Sequence, residues 1–134
     1  MKKNIPTLDQ FDIDILINNA GFGIAGNILS SKIHTVEEMI DLNIKPLISL
    51  SIWFVEKYEE EQNKQLLNIS STAGYIINTR AVLYAASNNF VATFTEGLVI
   101  ELKRNDYPLQ VKVLAPYATD INFVKISLGL NEFS

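Results

Sequence analysis

Residues 13–23 read IDILINNAGFG, and the reading of that stretch decides the fold. The run IDILI, 13–17, is short, almost wholly apolar, and followed by small residues whose two glycines permit a turn. A run of that length and composition reads as a strand covered on both faces, since a half-exposed strand would alternate. Two more stretches carry a strand signal: QLLNIS, 65–70, closed by SSTAG, and QVKVLA, 110–115, ended by Pro116. Helical patterns fill the intervals. The first opens at Thr35-Val-Glu-Glu38, the spacing of a capping box, and continues to about Glu61. Pro46 lies inside it and has no amide for the carbonyl of Leu42, so a kink is expected with Asn43 in the disturbed turn. The second runs from about Arg80 to Arg104, with Lys103 and Arg104 in its last turn where they complement the helix dipole. Strand, helix, strand, helix, strand is the order of a parallel sheet with crossover helices, an α/β fold. Ligands of such sheets collect beyond the carboxyl ends of the strands. The small-residue clusters NNAGFG, SSTAG and PYAT stand at those ends, which predicts a crevice among them.

The chain's 134 residues suit one domain, 1–134, and 48% apolar residues argue against disorder. A formal charge of -4 speaks against a nucleic-acid partner held on a basic surface. Cysteine is absent, which removes disulfides and thiolate metal sites, and the single histidine, His34, reads as a loop residue rather than a metal ligand. MKKNIPTLDQFDID has no apolar core of a secretory signal, and no stretch reaches the roughly 18 apolar residues of a membrane span. The expected setting is cytoplasmic. KYEEEQNK, 57–64, reads as a solvated helix end and loop, Trp53 and Phe54 as packing residues, and 122–128 as a short helix.

Four ordered motifs between about residues 11 and 121 make the sequence resemble a short-chain dehydrogenase/reductase. Asn18-Asn19-Ala20-Gly21 matches the family's NNAG element after its fourth strand, and Asn43 falls at its helix asparagine. Asn68-Ile69-Ser70-Ser71 with Ala73-Gly74 resembles its serine segment, and Tyr84 follows Ser71 by thirteen residues, the family's interval to its tyrosine. The resemblance implies a partial Rossmann-like, doubly wound parallel sheet with strands corresponding to the family's fourth to sixth. It also implies a nicotinamide cofactor, NADP or NAD, and interconversion of a small carbonyl compound and its alcohol. Tyr84 would be the general acid, Ser71 would orient the carbonyl oxygen, and Asn43 would hold a water through its backbone carbonyl. Asn18, Ala20 and Gly21 would lie beside the cofactor, with Pro116 and Thr119 near its nicotinamide end.

The sequence departs from the family at two places. The family's tyrosine motif is YxxxK, and the fifth position here is Asn88, so the cation that lowers the tyrosine's pKa from near 10 is missing. The phosphate-binding TGxxxGxG element is absent, and GFGIAG, 21–26, follows the wrong strand to replace it. The chain therefore reads as the catalytic-half portion of such a domain, an oxidoreductase by ancestry that lacks the activity by itself. The alternative is a non-catalytic relative that self-associates or pairs with a full-length homologue through its two long helices. Beside these roles stand plainer ones: Asn18 and Asn19 bridging strands, Ser70 capping a strand end, and Thr119 and Asp120 starting a helix.

Overall fold

The computed structural model describes residues 5–117. In chain order they form α1 (Ile5–Leu8), β1 (Ile15–Asn18), α2 (Ile33–Asn43), α3 (Lys45–Tyr58), β2 (Gln65–Ile69), α4 (Val82–Arg104) and β3 (Gln110–Leu114), with 3-10 turns at Ile28–Ser30 and Thr72–Tyr75. The strands pair in parallel in the order β1-β2-β3, with Leu16 opposite Leu66 and Leu66 opposite Val111. Thr119 and the expected helix at 122–128 lie outside the described residues.

The expected kink is a full break. The ladder of α2 closes with Ile44 N–H to the Ile40 carbonyl at 3.0 Å and resumes with Ile48 N–H to the Ile44 carbonyl at 3.0 Å. Pro46 thus sits in the first turn of α3, where a missing amide does no harm. The capping box does not form: α2 starts at Ile33, its N-cap is Lys32, and no side chain caps it. His34 is consequently a first-turn helix residue, not a loop one, with Nε2 3.2 Å from Glu38 Oε1 across one turn.

Strand register puts Leu16, Asn18, Leu66, Asn68 and Val111 on one face of the sheet. That face carries the core, where Phe54 and Tyr58 of α3 and Leu102 of α4 close on Leu66 and Val111. Both long helices lie on this side, as successive right-handed crossovers along one direction of a sheet require. The other face is uncovered among the described residues: Ile15 is 54% exposed, Ile17 56% and Leu114 51%. The apolar run IDILI is therefore covered on one face only, contrary to the sequence reading.

The segment before β1 is strapped to α3. Trp53 Nε1 donates to Asp9 Oδ1 at 2.7 Å, and Lys57 Nζ donates to the carbonyls of Asp9 and Phe11 at 3.1 and 2.9 Å. Tyr58 Oη accepts the amide of Ile13 at 2.9 Å. Lys64 is buried, donates to the carboxylates of Asp12 and Asp14, and sits over the Tyr58 ring. Within 57–64, residues 60–63 are exposed as a solvated loop should be, while Lys57, Tyr58 and Lys64 form a clamp. The hydrogen bond from Lys64 holds the Asp12 carboxyl below its ordinary 3.8, and Asp12 in turn holds the Lys64 ammonium above its ordinary 10.5. A depressed carboxylate stabilises the fold above its unfolded pKa and loses that contribution as pH falls through the folded one; a raised ammonium does the reverse at the alkaline end. Wild type is therefore expected to have a higher urea midpoint than Asp12→Asn at pH 7, with the gap shrinking as pH falls below the ordinary 3.8. A gap that stays constant as pH falls through the acid range would refute the assignment.

Candidate functional site

A crevice of about 720 Å³ opens at the carboxyl ends of the strands. Its wall takes Asn19, Ala20 and Gly21 from the loop after β1, Ser70 to Ala73 from the end of β2, and Pro116 and Tyr117 from the end of β3. Asn43 enters from the break between α2 and α3, and Tyr84, Ser87 and Asn88 from α4. Residues of NNAGFG and SSTAG and the described part of PYAT, Pro116 and Tyr117, thus converge as their positions after successive strands suggest. Among the described residues none of that wall is charged, so a ligand meets amides, hydroxyls and apolar groups there. Arg80, exposed at the entry to α4, is not among them.

Asn43 earns its place by its side chain as well as its position. Its Oδ1 accepts the amide of Phe22 at 3.0 Å and its Nδ2 donates to the Phe22 carbonyl at 2.8 Å, pinning the loop after β1. Gly21 permits this closeness: a Cβ there would stand 3.1 Å from Asn43 Oδ1. The backbone carbonyl of Asn43 lies at the helix break, where the ladder is interrupted.

Ser71 is half-buried and caps the turn Thr72–Tyr75, its Oγ accepting the amide of Ala73 at 3.2 Å. Ser70 has a different task from the strand-end cap expected of it: its buried Oγ donates to the Asn88 carbonyl at 2.8 Å and ties β2 to α4. Tyr84, also half-buried, lines the crevice two residues into α4. Its carbonyl accepts from Ser87 Oγ at 2.7 Å and from Asn88 Nδ2 at 3.0 Å. Asn88, at the place of the family's lysine, therefore turns its amide back along its own helix. Ser87 is not among the residues that the sequence motifs mark; its spacing of three from Tyr84 is the signal that places it on the same face.

Asn18 is set apart from this wall. It is buried, and its Nδ2 donates to Asn68 Oδ1 at 2.9 Å and reaches Ser51 Oγ at 3.4 Å. Asn68 Nδ2 donates to Ser51 Oγ at 3.2 Å and to Thr95 Oγ1 at 3.1 Å, so one polar network joins β1, β2, α3 and α4 beneath the crevice. The strand-bridging reading of Asn18 describes what it does here, whereas Asn19 faces the crevice.

The chain is similar to an uncharacterized oxidoreductase of Staphylococcus saprophyticus, 30% identical over 115 residues that make up 85% of this chain and 48% of that protein. Among solved structures it is similar to the bulky-bulky ketone specific alcohol dehydrogenase of Comamonas testosteroni, with a TM-score of 0.77 at 28% identity over 89% of this chain and 48% of that one. It is also similar to serine dehydrogenase complexed with NADP+, with a TM-score of 0.75 at 27% identity over 84% of this chain and 47% of that one. The chain thus spans about half the length of the relatives it matches. No helix among the described residues is long and apolar enough to cross a membrane. The family model for short chain dehydrogenases matches residues 8–128, and with a match running through most of its length this chain belongs to the short-chain dehydrogenase/reductase family.

Proposed function

We propose that this chain is the substrate-facing half of a cytoplasmic NAD(P)-dependent oxidoreductase that interconverts a carbonyl compound and its alcohol. The observation that carries the reading is the convergence of Ala20, Gly21, Asn43, Ser71 and Tyr84 on one crevice. The residues present fit the nicotinamide end of the cofactor: Gly21 leaves the wall thin, Asn19 offers an amide, and Pro116 adds an apolar lining. Among the described residues the wall offers no cation for its phosphates. When bound, a reduced nicotinamide supplies a hydride to the carbonyl carbon. Ser71 Oγ holds the carbonyl oxygen by hydrogen bonding, and Tyr84 Oη gives that oxygen its proton and is reprotonated from water, completing the alcohol. Asn43 holds a water at its backbone carbonyl. Ala20, Gly21, Pro116 and Thr119 flank the cofactor, and Asn18 supports their loop from below through Asn68.

Position 88 carries an amide where the family has a lysine, and the chain by itself is expected to bind nicotinamide weakly and turn over no carbonyl substrate. An ammonium beside a phenol favours the ionised form, which an amide does not do. Amide shifts of the labelled chain on titration with NADPH and NADH are expected at Ala20, Gly21, Ser71 and Tyr84. Asn88→Lys is expected to strengthen the cofactor-dependent amide shifts, because it restores a cation beside the bound nicotinamide. Shifts confined to other regions, or none at saturating cofactor, would remove the reading.

A second reading, a non-catalytic chain that pairs with itself or a full-length homologue, is favoured by the outer faces of the long helices. Phe90 is 41% exposed and Ile100 52% on α4, and Ile52 is 47% exposed on α3. A compact monomer in sedimentation of the same sample at tens of micromolar would remove self-association.

A further inference from the structure

We infer that Ser70 and Asn89 are positioning residues that fix the spacing between the turn carrying Ser71 and the helix carrying Tyr84; this rests on the reading of those two hydroxyls as one site. Two hydrogen bonds cross between turn and helix, in opposite directions. Ser70 Oγ, just before Ser71, donates to the Asn88 carbonyl at 2.8 Å, and Asn89 Nδ2 donates back to the Gly74 carbonyl, three residues after Ser71, at 2.8 Å. Between them the two backbones touch: a Cβ on Gly74 would stand 2.7 Å from the Asn88 carbonyl carbon and 2.8 Å from the Asn89 nitrogen. Ser71 is held from both sides without slack.

The opposite flank of the turn is fastened too. Ser70 N–H donates to the Leu114 carbonyl at 2.7 Å and Thr72 N–H to the Pro116 carbonyl at 3.3 Å. The turn therefore has fixed anchors on β3 and on α4, and only the second set decides how far Ser71 stands from Tyr84. The Asn88 carbonyl that Ser70 grips lies one helical turn beyond Tyr84, so a shift at that grip moves the tyrosine almost rigidly. Ser71 cannot set the spacing itself, because its Oγ bonds within the turn to Ala73. Asn89 is exposed and outside the crevice wall, so it acts through Gly74 alone. Two hydroxyls that must meet one carbonyl oxygen tolerate little error, since a displacement of about 1 Å lowers a rate on the order of 100-fold.

The chain has no cysteine, so spin labels can be placed without background. One label goes at Ile77→Cys, 97% exposed beside the turn, and its partner at Ala86→Cys on the exposed side of α4. Electron–electron distance distributions are then compared at temperatures where circular dichroism shows each protein folded. Ser70→Ala and Asn89→Ala are expected to widen the distribution at least twofold, and Ser70→Thr, which keeps the hydroxyl, to restore its width. Asn89 is a surface residue, so its variant remains informative if Ser70→Ala fails to fold. Unchanged widths with only a lowered melting temperature would overturn the inference. The nicotinamide titration of the parent protein separates this from the functional reading: no shifts there would defeat the site, while the distances would still test the clamp.

Discussion

Gly74→Ala is expected to lower the melting temperature by about 12 °C in calorimetry. The added Cβ would lie 2.7 Å from the carbonyl carbon of Asn88, 2.9 Å from its oxygen and 2.8 Å from the nitrogen of Asn89. All three are backbone atoms, so no side chain can rotate aside, and either the turn or the first half of α4 must retreat. Overpacking of this kind costs about 3 kcal/mol, and a domain of this size loses about 4 °C for each. The cost is steric, since Gly74 is not among the glycines with positive φ. Gly97 supplies the control on the same helix: nothing lies within 4 Å of a Cβ built there. Gly97→Ala should therefore stabilise by about 1 kcal/mol through helix propensity. Opposite signs from one chemical change would establish close approach as the cause; equal effects would refute it.

Asn68→Leu is expected to cost roughly 4 kcal/mol in urea unfolding, although the branching of the side chain is kept, because the site is fully buried. Its two amide donations and its acceptance from Asn18 disappear together. Asn18 Nδ2 then keeps only the long 3.4 Å contact to Ser51 Oγ. Each buried polar group left unsatisfied contributes about 1–3 kcal/mol. A companion Asn18→Leu should cost much less in the Asn68→Leu background than in wild type, because the amide it removes is already stranded. Additive losses, or a stabilised Asn68→Leu, would show that the network is not a cooperative unit.

What the sequence disclosed were the features written in local pattern. The strands, the order of the fold, the break near Pro46 and the convergence of three small-residue clusters follow from apolar runs, a missing amide and positions after parallel strands. Even locally there was ambiguity. Thr35 and Glu38 have capping-box spacing, but the turn before them is also helical, closed by Val36 N–H to the Lys32 carbonyl at 3.1 Å. The apolar run of β1 could not reveal that helices would gather on one face, because that depends on the direction in which successive crossovers step. Lys64 looked solvated among acidic neighbours in sequence, yet its partners Asp12 and Asp14 are 52 and 50 residues away. The same holds within the site. Ser70 and Asn88 are 18 residues apart and Asn89 and Gly74 are 15, so no periodicity announces them. Asn88 was legible as a missing charge, but its return to the Tyr84 carbonyl was not.

The strap between Asp9 and α3 has a practical consequence. Trp53 is the chain's single tryptophan, is 7% exposed, and is bonded to the Asp9 carboxylate rather than to any residue of the crevice wall. Its fluorescence is therefore a built-in reporter of the amino-terminal segment. A red-shifted emission signals that the strap has lifted and wetted the indole, whereas a ligand seated among Ser71, Tyr84 and Asn88 touches the reporter only at a distance. One cuvette can thus distinguish a chain that has begun to peel at its start from one that has filled its crevice.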